Sequence, residues 1–136
     1  MPYSAEQMYD LVNDVESYPK FLPWCGDSQI HSQGPGHMTA SISLVKGRVK
    51  QSFTTSNTMQ PGRRIDVNLV SGPFKHLTGH WAFDPEDDHT CHITIKMEFE
   101  FKNRLLKLAL EKVFSQITIS LIETFTERAE QVYGAR

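Results

Sequence analysis

The sequence carries no excess of positive charge, no long apolar run and few cysteines, and each shortage closes a class of function. With 14 Lys and Arg against 16 Asp and Glu, the formal net charge is -2. The chain as a whole is therefore not the basic surface that a general nucleic-acid binder presents, although a local basic patch stays open. Residues 1–12 lack the basic start and apolar run of a signal peptide. No segment approaches the length of a membrane span. Cys25 and Cys91 form no metal or redox spacing, so two buried free thiols in a reducing cytoplasm are expected ahead of a disulfide. There is no internal repeat and no low-complexity stretch. What remains is a chain of 136 residues, 39% hydrophobic and 22% charged. That suits one domain over residues 1–136, with a core that needs neither disulfide nor metal.

Catalytic signatures are also missing. No nucleophile elbow, Ser-His-Asp arrangement, phosphate loop or pair of inward carboxylates emerges. His76 and His80 are four apart, which on a strand separates them by roughly 13 Å, too far to share one ion. His89, Cys91 and His92 fall at a strand start, where alternate residues face opposite ways.

What is present is hydrophobic periodicity, and it changes twice. Ser4-Ala5-Glu6-Gln7 reads as a capping box ahead of Met8, Leu11 and Val12 at helical spacing. Pro19 and Pro23 limit Tyr18–Trp24 to a short helix or turn. From Gly26 the period is two: Met38, Ala40, Ile42 and Leu44; Ile65, Val67 and Leu69; Leu77, Trp81 and Phe83; then Ile93, Ile95, Met97, Phe99 and Phe101 between Thr94, Lys96, Glu98 and Glu100. Strict alternation marks an antiparallel sheet buried on one face. Turn signals stand at Gly34-Pro35-Gly36, Lys46-Gly47, Pro61-Gly62, Ser71-Gly72-Pro73 and Asp84–Asp88. Gly47, Gly72 and Gly79 are expected to help the sheet curve.

After Asn103, a plausible N-cap, Leu106, Leu110, Val113, Phe114, Ile117, Leu121, Phe125, Ala129 and Val132 recur at three and four residues, and Gly134 can stop the helix. An unbroken helix from Arg104 to Tyr133 would be about 45 Å long. The expected fold is α+β: a curved antiparallel sheet wrapped on one long C-terminal helix, with a cavity between them because one helix cannot cover the whole inward face.

Several ordered stretches carry a family resemblance across essentially the whole chain. They are Pro2–Val15, Tyr18-Pro19-Lys20-Phe21-Leu22-Pro23-Trp24-Cys25, Gly72-Pro73-Phe74 with Leu77, Gly79, Trp81 and Phe83, Phe99-Glu100-Phe101 before Asn103 and Leu105, and Arg128–Tyr133. The sequence resembles the coenzyme Q-binding START-like family of the polyketide cyclase superfamily, whose bacterial branch comprises ribosome association toxins. The resemblance implies a helix-grip fold with a tunnel for a quinone or lipid tail. It also implies a β-strand ahead of the Pro-Tyr-Ser motif, beside the strand that leads into the long helix. This chain begins at that motif, so the strand of roughly Thr90 to Phe101 is expected to pair its free edge with a second copy, as a homodimer, or to fray. Relatives often have Gly near position 111; Glu111 stands here.

Parity and resemblance together nominate a ligand pocket from Val67, Leu69, Leu77, Trp81, Phe83, Ile95, Met97 and Phe99, faced by Val113, Ile117 and Leu121 and joined by Phe74. Phe21 and Trp24, with Leu22, are its expected lid. Because this inward parity is almost wholly apolar, it offers nothing to move protons, and no catalytic residue, metal ligand or cofactor is expected. Arg48 and Lys50 on one strand, with Lys75 approaching them, form a small outward basic patch suited to ribosomal RNA phosphates. The first expectation is a non-enzymatic binder of ubiquinone or a related lipid that supports respiration as a chaperone or carrier, in the cytoplasm or peripheral to the inner membrane. The second is a regulator that binds the large ribosomal subunit and blocks subunit association. A polyketide cyclase-like enzyme comes third.

Overall fold

Ser4 caps the first helix, α1 (Ala5–Asn13), reciprocally: the Gln7 N–H donates to Ser4 Oγ at 3.1 Å and the Ser4 N–H to Gln7 Oε1 at 3.0 Å. The computed structural model describes residues 1–135, the side chain of Val49 apart; Arg136, the last residue of the expected domain, lies outside the described residues. Met8, Leu11 and Val12 bury one face of α1. A 3-10 turn (Val15–Ser17) and the one-turn helix α2 (Tyr18–Phe21) follow, with Pro19 in the first turn of α2, where a missing N–H costs nothing.

Six antiparallel strands come next: β1 (Cys25–Gly34), β2 (His37–Lys46), β3 (Val49–Gln60), β4 (Arg64–Ser71), β5 (Phe74–Pro85) and β6 (Cys91–Phe101). Each bonds to its successor, so the sheet is a plain meander with β1 and β6 at its edges. β1 and β3 are strands that hydrophobic alternation did not reveal. The burial of β1 is irregular, and β3 turns Thr55 inward beside Met59. On β6 the expected parity holds: Ile93 and Phe101 are buried and Lys96, Glu98 and Glu100 exposed. Gly79 sits opposite Met97, where a Cβ would come within 2.3 Å of Met97 Sδ and 2.5 Å of the Lys96 carbonyl oxygen. That close approach draws β5 and β6 together. Gly47, expected to bend the sheet, instead lies in the β2–β3 turn with φ +60°.

Asn103 caps the long helix α3 (Arg104–Tyr133), accepting from the Leu106 N–H at 2.9 Å, and Gly134 ends it with φ +88°. Glu111 leaves it unbroken. Leu110, Phe114, Ile117, Phe125 and Ala129 bury its inner face, while Leu105, Leu108 and Ile119 stand in solvent at 77%, 75% and 82% exposure. The two ends of the chain are clamped: Tyr3 Oη donates to the Gly134 carbonyl at 2.7 Å and Tyr133 Oη to the Gln7 carbonyl at 3.1 Å.

The core forms two clusters. One joins α1 to Met38, Ile65, Trp81, Phe83, Phe125 and Ala129. The other gathers Leu44, Phe74, Leu77, Phe101, Leu110, Phe114 and Ile117. A straight helix of about 45 Å cannot follow a twisted sheet along its whole length, and the packing divides accordingly.

Candidate functional site

At the seam between the clusters lies a cavity of about 110 Å³. Val12, Val15, Leu22, Ala40, Ile65, Trp81 and Phe125 wall it from the first cluster, and Leu44, Leu77, Phe114 and Ile117 from the second. Trp24 and Leu121 pack against both clusters and also face it. The volume is of the order of an apolar cavity that admits a benzene ring (~150 Å³). A tailed ligand requires the half-buried walls Ile42, Val67, Met97 and Leu121 to shift, and Met97 is the most adaptable of them.

The electrostatics suit an uncharged guest, since among the described residues no Asp, Glu, Lys, Arg or His belongs to the wall. Tyr18 turns its hydroxyl away to donate to the Val12 carbonyl, and burial holds its pKa above the ordinary phenol value. Beside the wall, burial pushes the Cys25 thiol up to about 11, although its contact with the Asp27 carbonyl acts the other way. Polar side chains are few but real: Asn13, Thr55, Asn57 and Thr118 line the cavity. The inward face is thus less apolar than parity suggested, and β3 is the reason.

Of the residues nominated from sequence, Trp24, Val67, Leu77, Trp81, Ile95, Met97, Ile117 and Leu121 stand in the wall. Phe83 does not; it is fully buried behind Trp81, stacked on that indole and edge-on to Tyr9. Phe74 and Phe99 join Phe53, Phe101 and Phe114 in an aromatic cluster, of which Phe53 and Phe114 reach the cavity wall. Leu69 and Val113 pack against that same cluster. Phe21 points elsewhere, edge-on to Tyr18 and Phe125 with the Arg128 guanidinium 4.9 Å above its ring. Of the three residues expected as a lid, Leu22 and Trp24 line the cavity. Sequence reasoning missed the contributions of β2 and β3. Ala40, Ile42 and Leu44 were legible as an inward row, but the Phe53-Thr55-Asn57 row has too little hydropathy contrast to be read.

The basic patch is drawn differently by the fold. Arg48 sits in the β2–β3 turn rather than on a strand. Lys50 lies on β3 opposite Val45, and Lys75 lies on β5, with β4 between those two strands in the sheet order. Lys75 instead shares a surface hollow with Lys102, Arg104 and Lys107, where α3 begins. Among the described residues no three His, Cys, Asp or Glu side chains converge as a metal site. His76 Nδ1 lies 3.5 Å from Glu100 Oε2 at the surface.

Comparison with known proteins agrees with this architecture. The family described as polyketide cyclase / dehydrase and lipid transport matches residues 1–126. The ribosome association toxin RatA of Escherichia coli is 47% identical over 136 residues, covering 100% of this chain and 86% of that protein. The mitochondrial coenzyme Q-binding protein COQ10 homolog B of Xenopus laevis is 29% identical, covering 97% of this chain and 56% of that one. Among solved structures, the Zhui aromatase/cyclase of a Streptomyces species superposes with a TM-score of 0.84 over 96% of this chain and 88% of that one, at 16% identity, a likeness of fold.

Proposed function

This chain belongs to the polyketide cyclase / dehydrase and lipid transport family, and from that premise we propose that it binds ubiquinone or a related lipid between its sheet and α3, acting as a chaperone or carrier in respiration and not as an enzyme. The observation that carries the reading is the uncharged, largely apolar cavity at the seam of the core. Burial of apolar ligand surface there stabilises a complex by roughly 25 cal/mol per Å² before the costs of association. The wall offers no general acid or base with a shifted carboxyl or imidazole, which favours binding over cyclisation. The coenzyme Q-binding relative supports the choice of ligand.

Both tryptophans of the chain, Trp24 and Trp81, stand in the wall. Titration with a short-tailed ubiquinone is expected to quench their fluorescence saturably, and lipids extracted from protein purified from its native host are expected to include a quinone. Absence of both signals overturns the reading.

A second reading, binding of the large ribosomal subunit with a block to subunit association, is favoured by the 47% identity to a ribosome association toxin and by the cations gathered at Lys75, Lys102, Arg104 and Lys107. Its test is salt-sensitive co-sedimentation with the 50S subunit. The expected location is the cytoplasm with peripheral contact at the inner membrane, where exposed Leu105 and Leu108 beside Lys102, Arg104 and Lys112 suit an anionic bilayer surface.

A further inference from the structure

One buried group in the cavity is unexplained by packing. Asn57 lies on β3 between Met38 on β2 and Val67 on β4, both apolar neighbours. Its Oδ1 is sealed from the surface and has no hydrogen-bond partner among the described residues. Thr55, two residues along the same strand and so on the same face, is the buried polar residue of the core at 6% exposure. Both line the cavity. Across from them, Thr118 already donates its hydroxyl to the Phe114 carbonyl, within α3. Besides Asn13 at the end of α1, the polar side chains the cavity offers a guest therefore stand on β3.

An enclosed carbonyl oxygen with no partner weakens the fold, and a leucine at that position would fill similar space without the penalty. A cavity meant for a plain hydrocarbon has no use for it. We infer that Asn57, with Thr55, is a head-group subsite that recognises a neutral hydrogen-bonding end on an otherwise apolar ligand. This rests on the cavity-binding reading above and narrows it. The unpartnered Asn57 Oδ1 is an acceptor and so takes a hydroxyl, while the Thr55 hydroxyl can donate to a carbonyl. Among the described residues no cation belongs to the wall, which leaves a carboxylate or phosphate head without a counter-charge from them. The ligand class is thus a neutral ring or chain bearing hydroxyl or carbonyl oxygens, with its apolar remainder against Trp81, Leu77 and Ile117.

The test compares two probes of equal tail length, decylubiquinol kept reduced, which carries two hydroxyls, and decylbenzene, by calorimetric titration against the wild type, Asn57→Leu and Thr55→Val. The expected result is that Asn57→Leu weakens decylubiquinol binding by roughly tenfold while decylbenzene binding holds or tightens. Ligand-free Asn57→Leu is expected to melt roughly 2–6 °C higher, since an orphaned polar group has gone. Thr55→Val shifts the ratio of the two affinities in the same direction and gives an independent measure should the leucine variant fold poorly. If the ratio is unchanged in both variants, Asn57 holds only water and the subsite is refuted while cavity binding stands. If the wild type takes up neither probe, the cavity reading itself has failed.

Discussion

The Trp81 indole on β5 and the Phe125 ring on α3 meet edge to face, with centroids 5.4 Å apart and planes at 83°. Both also face the cavity, so this contact ties sheet to helix and bounds the ligand space at once. Phe125 further touches Tyr18 and Phe21 edge-on. Truncation by Phe125→Ala is expected to cost about 3–5 kcal/mol in urea unfolding. A loss under about 1 kcal/mol would mean that the two layers are held together elsewhere.

Filling the cavity separates binding from stability. Ala40 is buried in the wall, and Ala40→Leu pushes a branched side chain into the space a ligand would take. Quinone affinity is expected to fall at least about tenfold with a stability change of no more than roughly 1–2 kcal/mol. Arg48→Glu, in the β2–β3 turn, is expected to leave affinity unaltered. Equal affinities in all three proteins would move the binding site out of this cavity.

Alkaline pH should expose the buried thiol. Burial raises Cys25 from 9.0 to about 11. The contribution is intact below pH 9, where folded and unfolded chains are both protonated. Between pH 9 and 11 the unfolded chain ionises first and stability falls, by on the order of 2 kcal/mol when complete. Tyr18, also raised by burial, acts in the same sense. Denaturant melts across this window are expected to show a shallower decline in Cys25→Ala than in the wild type; parallel curves would place the thiol's effect at zero.

β6 stands at one edge of the sheet. Beyond its ladder with β5, the Cys91 N–H takes the Met1 carbonyl at 3.2 Å, leaving the strand from Ile93 towards Phe101 to offer its outer backbone groups. Hydrogen exchange is expected to be fast at every second β6 amide in the monomer, and a strand appended ahead of residue 1 to pair there should raise Tm. Uniform protection that disappears on dilution would instead identify a dimer built through this edge.

The strands β2, β4, β5 and β6, the capping of α1 by Ser4 and Gln7, the length of α3 and the inward set on β6 were legible in the sequence. Each rests on neighbours in the chain, where a period of two or 3.6 and a capping spacing are local properties. The candidate site was legible only in part. Trp81, Met97 and Ile117 could be assigned a face, but a face does not say whether a side chain meets space or another side chain. Phe74, Phe99 and Phe83 share the inward parity and yet fill their surroundings with other rings, because residues far apart in the chain, Phe53, Phe114 and Tyr9, arrive opposite them. Asn57 was hidden for the opposite reason: on a Thr- and Ser-rich strand a polar residue carries no hydropathy contrast. Only registry with Met38 and Val67 decided that it lies inside. Lys75 shows the same division, since its charge is written in the sequence but its company at the start of α3 is set by where β5 falls in the sheet. Local periodicity determined which way each side chain turns; the packing of a straight helix on a twisted sheet decided what it turns towards.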